Sequence, residues 1–278
     1  MDRLQGQIEK MLRPYYEFQK SIEPTIRLQK SLEQSLKGVQ KSFVGINDIY
    51  ASMTKIYNPV YKYLETFKEI GELLKDYTEN IPRDLLLIAQ YGWFIEIDDM
   101  NLPNDVVSKI NENKIDEANE ILVNYYKSNL DRIFEELIDR HDNRKEIFIQ
   151  IFNSFKSENY NVLIPCTLSQ VDGICFDFTK KKFFIKEKAN NFLPQVTSEL
   201  EKSAGYFTDL YLTPIQNKTP IMAQEKDIIG FPCHLNRHEI LHGISTDYGT
   251  EINSLKVISL LKYLSDLLCE IDLSNDKQ

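Results

Sequence analysis

From Leu4 to Leu74 the apolar residues of the chain keep a seven-residue register. Steps of seven from Leu4 meet Met11, Phe18, Leu32, Val39, Ile46, Met53, Val60, Phe67 and Leu74, and a companion seam runs through Ile8, Tyr15, Ile22, Leu36, Phe43, Tyr50, Tyr57 and Leu64. Thr25, Gln29 and Gly71 interrupt the pattern. A repeat held this long is the mark of a coiled coil, in which every third or fourth residue packs against a neighbouring helix. Pro14, Pro24 and Pro59 each remove a helix hydrogen bond. Residues 1–75 are therefore expected to form long helices, bent or interrupted at the prolines, that self-associate or fold back on the body. Two roles stay open for them: recruiting a regulatory partner, or completing the core as a helical hairpin.

The register stops at Ile81-Pro82-Arg83, where the chain is expected to divide into an N-terminal helical region, 1–80, and a helical body, 81–278. In the body the apolar spacing remains that of helices. Leu85, Leu86, Ile88, Ala89, Trp93, Phe94 and Ile97 form one cluster; Ile121, Leu122, Tyr125, Leu130, Ile133, Phe134 and Leu137 form another; Ile147, Phe148, Ile151, Phe152 and Phe155 continue it. Leu163-Ile164-Pro165 is expected to open a helix running through Ile174, with proline in its first turn. Phe176 to Ile185 reads as a short hairpin, Phe192 to Leu212 as helix, and the stretch to Gly230 as loop. A helix from about Pro232 to Gly243 follows, then a turn over Ser245 to Thr250. Thr250 is placed to cap a final helix through Leu268, with Leu255, Ile258, Leu261, Leu264, Leu267 and Leu268 facing inward. The fold class is all-α.

Composition bounds the rest. A chain of 278 residues that is 42% hydrophobic supports one or two domains. No apolar run approaches the roughly 20 residues that span a bilayer, and Met1-Asp2-Arg3-Leu4-Gln5 opens no signal peptide, so a cytoplasmic protein is expected. Cys166, Cys175, Cys233 and Cys269 lack C-x-x-C pairing and read as buried free thiols. The net charge of −9 argues against non-specific coating of nucleic acid but leaves room for a local basic site. Lys180, Lys181, Lys182 and Lys186, interleaved with Phe183 and Phe184, form either a solvated turn or an RNA-guiding patch.

Candidate chemistry is concentrated in Cys233-His234-Leu235-Asn236-Arg237-His238-Glu239-Ile240-Leu241-His242-Gly243, which holds three of the chain's four histidines. RNA is cleaved by its own neighbouring 2′-hydroxyl when one group removes that proton, another protonates the departing 5′-oxygen, and a third stabilises the charge gathering on phosphorus. Histidine suits the proton work and arginine, with its fork of permanently charged donors, suits the phosphate. Arg237 and His242 lie about 140° apart around an ideal helix, a gap that the long arginine side chain can close. His238, one turn before His242, can orient it or contact phosphate. Gln170 and Asp172, polar residues amid apolar neighbours in the preceding helical stretch, are expected to hydrogen-bond across the core, in the direction of Arg237.

The run Asn236-Arg237-His238-Glu239-Ile240-Leu241-His242-Gly243, just before the last long helix, resembles the R-x4-6-H signature of the HEPN superfamily, in which the position after the arginine is commonly polar. The resemblance covers about residues 115–278. It implies a helical bundle that dimerises with two such motifs facing one another and cuts RNA without a metal or other cofactor, often as a toxin or phage-defence effector. On that likeness Arg237, His242 and His238 are catalytic, Asn236, Asp172, Gln170 and Tyr248 support them, and a homodimer or higher oligomer acting on RNA is expected. Two other classes stand beside it. His238-Glu239-Ile240-Leu241-His242 also spells H-E-x-x-H, the zinc peptidase pattern, which needs a third ligand that neither His234, Glu251 nor Glu270 supplies from a recognisable motif. A non-catalytic helical interaction module is the third.

Overall fold

The computed structural model describes residues 79–96, 102–187, 193–203 and 210–275, and of Glu187, Ser203, Glu225, Lys226 and residues 270–275 the backbone alone. The heptad region 1–75 and its coiled-coil reading, like Ile97 and Lys188, lie outside the described residues. The chain divides between Glu79 and Asn80, and the second unit is described here.

Its elements are almost all helical. They are α1 (79–90), α2 (Leu102–Asn111), α3 (Ile115–Ser128), α4 (Leu130–Arg140), α5 (Lys145–Lys156), α6 (Tyr160–Thr179), α7 (Thr197–Ser203), α8 (Arg237–Leu241) and α9 (Glu251–Asn275). Two strands of two residues each, β1 (Lys186–Glu187) and β2 (Leu193–Pro194), pair antiparallel. The amphipathic helices α3, α4 and α5 bury the residues their periodicity marks, among them Leu122, Ile133, Leu137, Phe148 and Ile151. Each turns inward on its predecessor, and α6 and α9 form the longest shared interface of the unit.

Helix α9 sits where the other helices converge, touching α3, α4, α6 and α7. Every residue from Ser254 to Leu268 is buried, so the inward face foreseen for the leucines is the whole circumference. A helix surrounded on all sides has little amphipathic signal, which is why spacing alone shows only half of its packing. Its start follows the expected cap: Thr250 Oγ1 accepts a hydrogen bond from the Asn253 amide at 3.2 Å.

Burying α9 completely takes its polar residues inside as well. Lys262 Nζ lies 2.6 Å from Asp266 Oδ1, 3.1 Å from Glu96 Oε2 and 3.2 Å from Glu136 Oε2. Arg132 spans Glu96 and Glu136, and Arg140 spans Asp266 and Glu136. Three cations thus meet three carboxylates, leaving no net buried charge. Burial alone depresses the Lys262 ammonium, but Asp266 and Glu96 overcome it and hold its pKa above the ordinary lysine value.

Local differences from the expected elements have identifiable causes. Pro82 lies within α1, and Pro165 lies inside α6, which begins five residues earlier, at Tyr160. The expected hairpin over Phe176 to Ile185 is instead the end of α6, closed by Lys180 in the left-handed region (φ 59°), followed by an irregular return to β1. The stretch expected as helix from Phe192 is broken by β2, with α7 and a helical turn at 210–212 beyond it.

Candidate active site

Helix α8 has five residues, too few to persist unaided, and both its ends are tied. At its start the buried Asn236 adopts extended backbone, and its side-chain oxygen accepts from the amides of His238 (2.9 Å) and Glu239 (3.2 Å). The same amide group donates to the carbonyls of Pro220 (2.8 Å) and Ala223 (3.0 Å). At its end Gly243, with φ +72°, closes a paired cap in which its own amide reaches Ile240 and that of Ile244 reaches Glu239. The helix is therefore shorter than the one foreseen from Pro232, because Asn236 starts it. His234 stands before it, so of the three histidines only His238 and His242 share a helical face.

The turn that follows is anchored to α6 through a proline. Pro165 has no amide proton and leaves the carbonyl four residues back, on Asn161, without its helical partner. The Tyr248 hydroxyl donates to that carbonyl at 3.1 Å. Gly249 passes so close that a Cβ there would stand 1.8 Å from Asn161 Oδ1. Tyr248 accordingly sets the path of the chain after α8.

A second route from α6 positions the arginine. Asp172 Oδ1 accepts from the Phe184 amide at 2.8 Å, holding the return segment against the helix. The Phe184 ring, edge-on to buried Phe183, in turn lies 5.1 Å beneath the Arg237 guanidinium. Asp172 thus reaches the motif through one intervening residue. Gln170 does not: its side-chain oxygen accepts from Arg144 at 2.7 Å, and Arg144 also pairs with Asp177. The expectation that Gln170 points toward Arg237 is corrected, because Arg144, running along α6, satisfies it first.

Arg237 opens onto a cleft of about 710 Å³ lined by Phe183, Phe184, Lys186, the 221–224 segment and His238. No carboxylate borders the cleft among the described residues. Arg237 makes no ion pair there either, and its buried Nε donates to no acceptor. His238 and His242 are exposed, their ring centroids 4.3 Å apart with planes inclined at 56°. His242 does not line the cleft and reaches it by way of His238. Lys186 donates to the Met222 carbonyl; burial, and then the charge of Lys218, pull its pKa below the ordinary lysine value, partly offset by Asp227.

Of the four lysines singled out, Lys186 alone lines this cleft. Lys180 caps α6 and lies over the Phe176 ring, and Lys181 and Lys182 precede the turn into the cleft wall. Sequence reasoning missed Met222 and Gln224, which belong to an irregular loop with no periodicity to betray them, and treated Phe184 only as an aromatic between lysines. Among the described residues no group of three or more His, Cys, Asp or Glu side chains forms a metal-binding cluster, so none of them supplies a third ligand beside His238 and His242.

The arrangement offers a permanently charged donor fork at the wall of a cleft that no described carboxylate lines, with two solvent-exposed imidazoles beside it. Such a set can bind a phosphate and exchange protons with groups around it. No protein-family model, curated protein or solved structure matches the chain.

Proposed function

We propose that the protein is a metal-independent endoribonuclease of HEPN type, in which Arg237 holds the scissile phosphate and His242, with His238, handles the protons. The observation that carries this reading is the Arg237 guanidinium, without an ion-pair partner among the described residues, held over Phe184 at the wall of a cleft that no described carboxylate lines, and next to the His238–His242 pair. A structural arginine in a half-buried position is normally answered by a carboxylate or a ring of carbonyls. This one faces an aromatic ring and open space.

In the reaction one imidazole takes the proton of the 2′-hydroxyl as its oxygen attacks the adjacent phosphorus. The P–O5′ bond breaks, an imidazolium returns a proton to the departing oxygen, and a 2′,3′-cyclic phosphate results. Arg237 stabilises the extra charge on the phosphoryl oxygens as the transition state forms. One short helix presents few groups for this work, so a homodimer that places two α8 helices about one substrate belongs to the proposal, as does a toxin or phage-defence role in a cytoplasmic setting. The N-terminal region is assigned to restraint or triggering by a partner.

The test is cleavage of a labelled RNA by the full-length protein in excess EDTA. Activity that survives chelation and disappears in both Arg237→Ala and His242→Ala supports the reading; activity requiring a divalent ion, or unchanged in those variants, refutes it. Expression in a bacterial host adds a check on the toxin role, since wild type is expected to arrest growth and His242→Ala is not.

A further inference from the structure

The cleft beside Arg237 is larger than one phosphate requires, and its lining combines cationic with aromatic and aliphatic side chains. At about 710 Å³ it falls within the roughly 300–1,000 Å³ of pockets that take small molecules. Arg237, Lys186 and His238 supply its polar donors. Phe183, Phe184, Ile221 and Met222 supply an apolar surface, and Gln224, exposed at the rim, carries a side-chain amide that makes no hydrogen bond among the described residues. No described carboxylate lines the cleft, and the charge of Asp227 only partly offsets that of Lys218 at Lys186, so the Arg237 and Lys186 donors suit an anion. An aromatic and thioether wall next to that anion suits a flat heterocycle, and a free amide suits its hydrogen-bonding edge.

We propose that this cleft is a nucleotide subsite, in which Arg237 and Lys186 grip a phosphate while Phe184 and Met222 bear the attached base and Gln224 reads its edge. The proposal takes its substrate class from the ribonuclease reading and adds to it that the protein selects the nucleotide beside the bond it cuts. Lys186 is the residue that ties the two halves together. Its ammonium is half-buried, its pKa is depressed by that burial and by Lys218, and an incoming phosphate relieves both effects. The hydrogen bond that the Phe184 amide donates to Asp172 ties the segment bearing the aromatic wall to α6.

Calorimetric titration of the full-length protein with the 3′-monophosphates of uridine, cytidine, adenosine and guanosine, and with inorganic phosphate at the same ionic strength, tests this. At least one nucleotide is expected to bind about tenfold or more tightly than phosphate, since base stacking contributes beyond the charge. Lys186→Gln is expected to weaken every nucleotide about tenfold, and Gln224→Ala, at an exposed position that folding does not depend on, to level the preference among bases. Equal binding of phosphate and all four nucleotides, no saturable binding, or indifference to both substitutions overturns the subsite. The two readings fail separately. RNA cleavage without nucleotide binding removes the subsite and leaves the ribonuclease; nucleotide binding lost in Lys186→Gln, with RNA left intact, removes the ribonuclease and leaves the subsite.

Discussion

Arg237 lies over the Phe184 ring, 5.1 Å from guanidinium carbon to ring centroid, and a lysine at that position has neither the flat face nor the fork. Arg237→Lys is accordingly expected to keep the charge yet lose about 10²-fold in kcat/KM on RNA, the scale of removing one donor from a developing oxyanion. Steady-state kinetics on a short oligonucleotide checks it; full activity in the lysine variant refutes a geometric role for the fork. A different residue governs stability against pH. His141 is buried, its Nε2 2.8 Å from Ser265 Oγ, and burial followed by the charges of Arg140 and Arg144 lowers its pKa from 6.5 to about 4. In the folded state it stays neutral while the unfolded chain takes up a proton below pH 6.5. The stability it contributes is thus complete above pH 6.5 and lost as pH falls toward 4. Urea unfolding is expected to show about 2 kcal/mol less stability at pH 5 than at pH 7, at about 1.4 kcal/mol per unit. His141→Gln should flatten that slope.

Among the elements, α8 shows most clearly what spacing reveals and what it hides. The motif, its proximity to the last helix and the break at Gly243 are all legible, because R-x4-H and the glycine stand in the sequence. Its length is not, because Asn236 starts the helix through bonds to Pro220 and Ala223, which lie 13 to 16 residues away in the chain. Tyr248 is similar: its partner is a carbonyl that Pro165 frees 87 residues earlier. The amphipathic helices α3 to α5 are legible from one apolar face, whereas the cleft wall at 221–224 has no repeating pattern to read. Asn236→Ala removes the cap and the donor to the Ala223 carbonyl, and leaves the Pro220 carbonyl with the Ala223 amide alone, at an expected cost of about 2–4 kcal/mol. Asn236→Asp keeps the acceptor and loses only the donors, so denaturant titration should place it between the two. Equal stability of all three proteins would mean that the cap does not hold the motif.

At the scale of the whole described unit, the site hangs on α6 and α9, and α9 is held in the interior by the ionic network around Lys262. No single-sequence signal assembles Glu96, Arg132, Glu136, Arg140, Lys262 and Asp266, since only the four-residue steps from Arg132 to Glu136 to Arg140, and from Lys262 to Asp266, are visible along the chain. Removing Lys262 leaves three carboxylates to share two arginines, one negative charge in excess, so Lys262→Ala is expected to destabilise the protein by about 3–5 kcal/mol, read from the urea midpoint. A variant as stable as wild type would show that water or a rearranged arginine replaces the ammonium. If Arg237 and the histidines split RNA through its own 2′-hydroxyl, the ends left when the purified protein cuts a defined RNA in EDTA carry the signature of that chemistry. A 2′,3′-cyclic phosphate is expected on one fragment and a free 5′-hydroxyl on the other, both absent with His242→Ala. Fragments bearing 3′-hydroxyl and 5′-phosphate ends, or ends that form only when a divalent metal is added, would contradict it.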